Sequence, residues 1–361
     1  MIAAYVSGHG FGHSTRTAEV LRAVRALAPT MPIAVVTSAP ERIFREAVAD
    51  PLVYRARAGD VGLAQRDALV IDEAETVRRW RTFDDARPAW VAEEAEWLRR
   101  EGARAVIADI PPAAFEAAEA AGVPAIGVTN FSWDWIYAHM ARRVPELGDA
   151  AARAREAYAS CDRLLELPFA GDLAAFPRRE RIPMVARPQR RARAETRGRL
   201  GLGDERAVLL SFGGLGLPGF DPGVLAPLRA HRFLLETSRE DLPPNVLAIT
   251  QALLADRGLV FLDLVGAADV VVTKPGYGVV TDCIAAGTRL VYTERGDFPE
   301  YPVMVGEMPR YLAVSYLANE DLRSGRLEPA LRSVLARPIP APPDLSGGAV
   351  AARRLLEAAG A

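Results

Sequence analysis

Short apolar runs alternate along the chain with longer segments in which apolar positions recur every three or four residues. Ile2–Ser7 is the first run. It ends in Gly8-His9-Gly10-Phe11-Gly12-His13, and a helical pattern follows at once, with Val20, Leu21, Val24 and Leu27 on one face. Ile33–Thr37 predicts a second strand. Ala105–Asp109 predicts another, followed by a proline-started helix from Pro112 to Ala121 that Gly122 stops, and Ala125–Thr129 is strand-like again. Strands alternating with helices predict a parallel sheet covered on both faces. Around Arg178–Arg199 the chain turns rich in arginine and proline, and Ala207–Phe212 opens a second alternating series. Its clearest later strands are expected at Leu259–Phe261, Val270–Thr273 and Leu290–Tyr292. The pattern therefore predicts an α/β protein of two parallel-sheet domains, 1–180 and 181–345, joined by a linker near 180–195. A terminal helix, 346–361, is free to pack back on the first domain.

The length of 361 residues agrees with two domains of ordinary size. With a net charge of −2 there is no basic excess, so nucleic acid is not an expected partner. The two cysteines, Cys161 and Cys283, lie in apolar stretches and read as buried thiols. The N-terminus lacks a basic region ahead of its short apolar run, and no run is long enough to span a membrane, so no integral membrane segment and a cytoplasmic location are expected. Of the 44 basic residues only Lys274 is lysine, a bias of the kind GC-rich bacterial genomes produce. In such a background a retained lysine marks a place for a compact ammonium, or chance.

Four segments carry candidate chemistry. Ser7–Arg16 sets a glycine-rich turn between a strand and a helix, with Gly10 and Gly12 opening the backbone toward an anion at the helix N-terminus. The spacing is neither the dinucleotide fingerprint nor a Walker loop. Its two histidines are half of the four in the chain. His13 is expected to act chemically, the alternative being a helix cap. Asp109 ends a buried strand at the edge where open sheets bind ligands. It is placed either to orient the His13 imidazole or to cap the next helix. Ser211-Phe212-Gly213-Gly214 is a second phosphate-suited turn, or a plain strand-to-helix turn. Finally Val270–Gly287 reads strand, glycine turn, helix, stop. Lys274 and the N–H groups after Gly276 suit a diphosphate, Asp282 suits ribose hydroxyls, and Asp297 and Glu300 beyond the next strand suit sugar hydroxyls. His9 and Arg16, with Asn130 and Asp134 of the aromatic segment Asn130–Tyr137, are expected on the acceptor side, while Trp135 reads as core.

The Lys274-Pro275-Gly276-Tyr277-Gly278 segment, continued to Asp282, resembles the donor-binding signature of GT-B glycosyltransferases, which in plant enzymes runs His-Cys-Gly-Trp-Asn-Ser-x-x-Glu. The resemblance implies phosphate contacts at Lys274, Tyr277 in place of the tryptophan, and a shortened carboxylate at Asp282. Gly278 and Val279 depart from its Asn-Ser pair. It also puts His13 and Asp109 at the positions of the base and its orienting carboxylate, and Glu300 near the donor sugar. Over nearly its whole length the chain is similar to the N-terminal, glycosyltransferase-like half of plant L-arabinokinases, through Gly8–Arg16, Val128–Asp134, the Phe212-Gly213-Gly214 turn and the Gly276-Tyr277-Gly278 turn. No kinase-type phosphate loop stands in these residues, so kinase activity is not expected of them. The Gly10-x-Gly12-His13-x-x-Arg16 spacing resembles a GT-B UDP-sugar hydrolase of pseudaminic acid synthesis.

These resemblances imply GT-B architecture: two Rossmann-like domains across a cleft, acceptor side first and donor side second. They imply inverting, metal-independent transfer of a sugar from a nucleoside diphosphate sugar, UDP first, to an undefined acceptor. No cofactor is expected, the nucleotide sugar being substrate, and no metal ligands are assigned. The alternatives are a hydrolase using water and a nucleotide-sugar-binding protein without catalysis.

Overall fold

The computed structural model describes residues 1–66, 70–213, 217 and 219–361. Two separate sheets organise the chain. The first contains β1 (Ile2–Val6), β2 (Ile33–Thr37), β3 (Leu52–Ala56), β4 (Ala105–Asp109), β5 (Ala125–Thr129), β6 (Arg163–Glu166) and β7 (Arg179–Arg181), in spatial order β3-β2-β1-β4-β5-β6-β7. The second contains β8 (Arg206–Leu210), β9 (His231–Glu236), β10 (Val246–Ile249), β11 (Val270–Thr273), β12 (Arg289–Tyr292) and β13 (Val314–Tyr316), in order β10-β9-β8-β11-β12-β13. All pairings between these strands are parallel.

The inner strands are apolar at consecutive positions because helices cover both faces of a parallel sheet. In β1, Ile2, Ala4 and Val6 face a cluster that includes Val20, Leu21 and Val24 of the helix Phe11–Leu27 and Ala351 and Leu355 of the helix Gly347–Ala358. Ala3 and Tyr5 face the other cluster, with Trp97 and Leu98 of Glu73–Arg100 and Phe115 of Pro112–Ala121. The first cluster runs on into the second half through Tyr277, Val280 and Cys283, so apolar packing joins the two halves. The terminal helix returns to the first half. Arg354 pairs with Glu180 at 2.8 Å, and Gly348 lies against Glu19. No helix among the described residues is long and apolar enough to cross a membrane.

One expected strand is absent. Leu259 and Val260 precede a helix, Phe261–Ala267, whose start is fixed when the Asp263 carboxylate accepts from the Val260 N–H at 2.9 Å. Apolar periodicity over three residues does not separate a short strand from a buried helix start.

The topology fixes where a ligand meets the chain. From β1 the first sheet grows outward to β3 and then resumes on the other side of β1 with β4. The second does the same from β8 to β10 and then β11. Each sheet therefore opens a crevice beyond the carboxyl ends of two adjacent strands, β1 with β4 and β8 with β11.

Candidate functional site

The turn after β1 runs straight into a helix whose N-cap is Gly10, with no side chain capping it. The turn after β11 does the same at Gly276, where the helix Tyr277–Ala286 begins uncapped by any side chain. These two helix starts meet. A Cβ on Gly278 would lie 3.2 Å from the Cα of Gly12, tighter than an ordinary contact, so a side chain there would press the backbones apart. Two positive dipole ends thus converge between the halves, a setting for an anion.

On the first half, His13 occupies the opening turn of its helix and is 5% exposed. Its Nδ1 lies 2.8 Å from Oδ1 of Asp109, which is fully buried. Asp109 therefore does not cap the following helix, whose N-cap is Pro111 with no side-chain cap. Nη2 of Arg16 also lies 2.9 Å from the same His13 nitrogen. We place the proton on Nδ1, directed at Asp109, because a lone pair there would face a carboxylate oxygen at 2.8 Å, and both hydrogens of Arg16 Nη2 have acceptors in Asp109 Oδ1 and Thr129 Oγ1, the latter at 3.2 Å. Nε2 then carries the free lone pair. The Phe131 ring stands edge-on to His13, with centroids 5.3 Å apart.

Arg16 differs from its expected acceptor-side role. Its side chain is 2% exposed and is committed inward: Nε donates to Asp109 Oδ2 at 2.5 Å, Nη2 to Asp109 Oδ1 at 2.5 Å, and Nη1 to Asn130 Oδ1 at 2.6 Å. Its carbon Cζ sits 5.0 Å from the centre of the Tyr277 ring. Thr17 adds a bond to Asp109 Oδ2 at 3.1 Å. Burial alone would push Asp109 up, but the Arg16 charge, with His13 and their hydrogen bonds, holds it below the usual carboxylate range. Asn130 also turns away from any acceptor. Fully buried, it donates through Nδ2 to Glu300 Oε1 at 2.7 Å, and Arg295 Nη1 donates to Glu300 Oε2 at 2.6 Å. A hydrogen-bonded chain His13–Asp109–Arg16–Asn130–Glu300–Arg295 thus crosses from one half to the other.

His9 sits beside this chain, edge-on to Trp133 at 5.2 Å. Gly62 has φ +62 and no room for a side chain, because a Cβ there would stand 2.8 Å from the His9 Cβ. Leu63 N–H donates to His9 Nδ1 at 3.4 Å. Burial first, then the charges of His13, Arg295 and Lys274, push His9 down to about 3. The last two come from the second half, so Lys274, directly after β11, acts electrostatically across the crevice onto the histidine turn. Trp133 Nε1 donates to Asp60 Oδ2 at 2.7 Å, and burial raises Asp60 against the opposing bonds of Ser7 and Trp133.

The remaining expected site side chains are each engaged by partners of their own. Asp134 is 6% exposed and pairs weakly with Arg155 at 3.6 Å on the neighbouring helix Leu147–Tyr158, while burial pushes its carboxyl up. Trp135, expected as core, packs partly buried on the second apolar cluster and against Gly171. Asp297 is engaged at the surface by His139, at 2.7 Å, and by Arg143. Asp282 is spent on Arg187, which donates from Nε to Oδ1 at 3.1 Å and from Nη2 to Oδ2. Tyr277 is buried under Arg16, and its hydroxyl accepts from Val185 N–H at 3.3 Å. Gly213 turns the chain after β8 with φ +74, and Gly214 lies outside the described residues. Sequence reasoning missed Arg295, whose place just past β12 was a readable signal, and Asp60 and Leu63, which sit in an irregular segment with none.

No known family's sequence profile matches the chain. Solved structures define the fold class. The chain has the fold of GT-B glycosyltransferases. It is similar to the glycosyltransferase of kitacinnamycin, with TM-score 0.61 and 18% identity over 99% of this chain and 95% of that one. It is similar also to UGT2 of Phytolacca americana, complexed with UDP-2-fluoroglucose and pterostilbene, with TM-score 0.59 and 11% identity over 99% of this chain and 94% of that one. In sequence it is 31% identical to the L-arabinokinase of Arabidopsis thaliana over 99% of its own length. The match covers 34% of that protein, in its N-terminal part, so the chain spans about a third of the relative's length.

Proposed function

We propose that the chain transfers a sugar from a nucleoside diphosphate sugar, UDP first among them, to a hydroxyl acceptor. Inversion at the anomeric carbon and no metal ion are part of this reading. The observation that carries it is the apposition of His13, oriented by Asp109 at 2.8 Å, to the paired helix starts at Gly12 and Gly278. The acceptor oxygen attacks the anomeric carbon while the bond to the β-phosphate oxygen breaks, both electrons leaving with the diphosphate. His13 Nε2 takes the acceptor proton, and Asp109 supports the imidazolium that forms. Lys274, Arg295 and the helix N-termini stabilise the charge that grows on the departing diphosphate, the part a metal ion plays elsewhere. The named ligand of the Phytolacca enzyme supports UDP as the first donor to try.

Water as acceptor is the second reading, favoured by the closeness of the site: His13 is 5% exposed and Phe131 stands edge-on at 5.3 Å. A panel of UDP-, dTDP- and GDP-sugars, incubated with and without acceptor mixtures, separates the two. Release of UDP only with an acceptor supports transfer. Free sugar and UDP without one supports hydrolysis. Turnover that survives His13→Ala removes His13 from either mechanism.

A further inference from the structure

The carboxylate expected to read the ribose is not available for it in this structure. Both oxygens of Asp282 are held by the Arg187 guanidinium, and the Asp282 side chain is 3% exposed. A ribose presents two adjacent hydroxyls and is matched by a group that only accepts, open to the same crevice. Glu236 meets that description. It is the last residue of β9 and is exposed, and its Oε2 accepts from Ser211 Oγ at 2.8 Å. That bond orients the carboxylate and leaves Oε1 free to accept more. Partial burial raises Glu236, and the Ser211 bond works against that rise.

The register places Glu236 relative to the phosphate region. Leu210 pairs with Leu235, so Ser211 stands beside Glu236. Leu210 also pairs with Val272, and Ser211 N–H donates to the Val272 carbonyl at 3.1 Å, so the other neighbour of Ser211 leads into Thr273 and Lys274. Glu236 and Thr273 therefore flank Ser211 on the same sheet edge, about 9.6 Å apart at two strand spacings, and Lys274 follows one residue beyond Thr273. That separation keeps the carboxylate away from phosphates held near Lys274.

We propose that Glu236, oriented by Ser211, is the residue that reads the ribose hydroxyls of the donor, in place of Asp282, and makes the site selective for ribonucleotides. The proposal rests on the nucleotide-sugar reading above. The test is calorimetric titration of the full chain with UDP and with 2′-deoxy-UDP, for the wild type, Glu236→Ala and Glu236→Gln. The wild type is expected to bind UDP at least about tenfold tighter, as befits a hydrogen bond to a charged acceptor. Glu236→Ala should lose that preference by weakening UDP more than 2′-deoxy-UDP, which has only its 3′-hydroxyl to lose from Glu236, with Glu236→Gln intermediate. Unchanged melting temperatures confirm that both variants fold. A wild type indifferent to the 2′-hydroxyl overturns the proposal. So does a Glu236→Ala variant that keeps the full preference, which would return the ribose to Asp282. If neither nucleotide binds at millimolar concentration, the nucleotide reading itself fails and this inference falls with it.

Discussion

Arg16→Ala tests whether the buried chain of polar contacts is organised as described. In the wild type the guanidinium makes two bonds to Asp109 and one to Asn130, and Asp109 is fully buried. Truncation leaves that carboxylate with His13 and Thr17, and breaking a buried ion pair on one side costs about 3–5 kcal/mol. Denaturant unfolding at pH 7 should show a loss of this size. Arg16→Lys should recover less than half of it, because a point charge cannot reproduce the planar fork that serves Asp109 and Asn130 together. The pH dependence gives a second check. Asp109 in the wild type sits below its unfolded value, so its contribution is complete above about pH 3.9 and fades as the pH falls through the folded value. Without Arg16, burial dominates and the folded value rises above the unfolded one. The variant's carboxylate is then costly at pH 7, and the cost fades as acid protonates it. The gap between variant and wild type must therefore shrink toward acid pH. A loss under about 1 kcal/mol at pH 7 contradicts the buried-charge accounting. A gap that widens in acid refutes it as well.

Four further outcomes follow from the same geometry. His13→Gln should lower turnover by about 10²–10⁴-fold while UDP affinity, read by calorimetry, stays within about twofold, because it removes a base and no phosphate contact. Lys274→Ala should weaken UDP by about 1.5–3 kcal/mol, and an unchanged dissociation constant removes Lys274 from the phosphate site. Gly278→Ala, whose new Cβ would stand 3.2 Å from Gly12, should cost about 1–3 kcal/mol in thermal or denaturant unfolding and reduce turnover by parting the helix starts. His9, held down to about 3, should stay neutral by NMR from pH 8 to pH 5. Its unfolded form gains a proton below about pH 6.5, so between that value and about 3 its burial lowers stability as the pH falls, and His9→Gln should flatten that part of the acid profile.

What was legible in the sequence depended on whether a residue's role is set by its own strand. β1, β4, β5 and β11 are continuous apolar runs ending in a turn or a polar residue. The parallel arrangement then sends the ends of β1 and β4 to one edge, which is why His13 and Asp109 could be matched across 96 positions. The glycine turns were legible for the same local reason. Roles set by a partner from elsewhere were not. Nothing around Asp282 announces that Arg187, from the segment between the sheets, will take both its oxygens. Arg16 sits in a turn that reads as ligand-facing, yet Asp109 and Asn130 supply acceptors from two other strand ends and pull it inward. Once Arg16 is inward, Asn130 has one amide end committed to it, and its other end reaches Glu300 across the crevice. The displacements of Arg16, Asn130 and Glu300 thus follow one from another. An acidic strand end draws the arginine, the arginine fixes the asparagine, and the asparagine fixes a carboxylate of the other half, so residues that look like separate ligand contacts in the sequence form one connected strut between the halves.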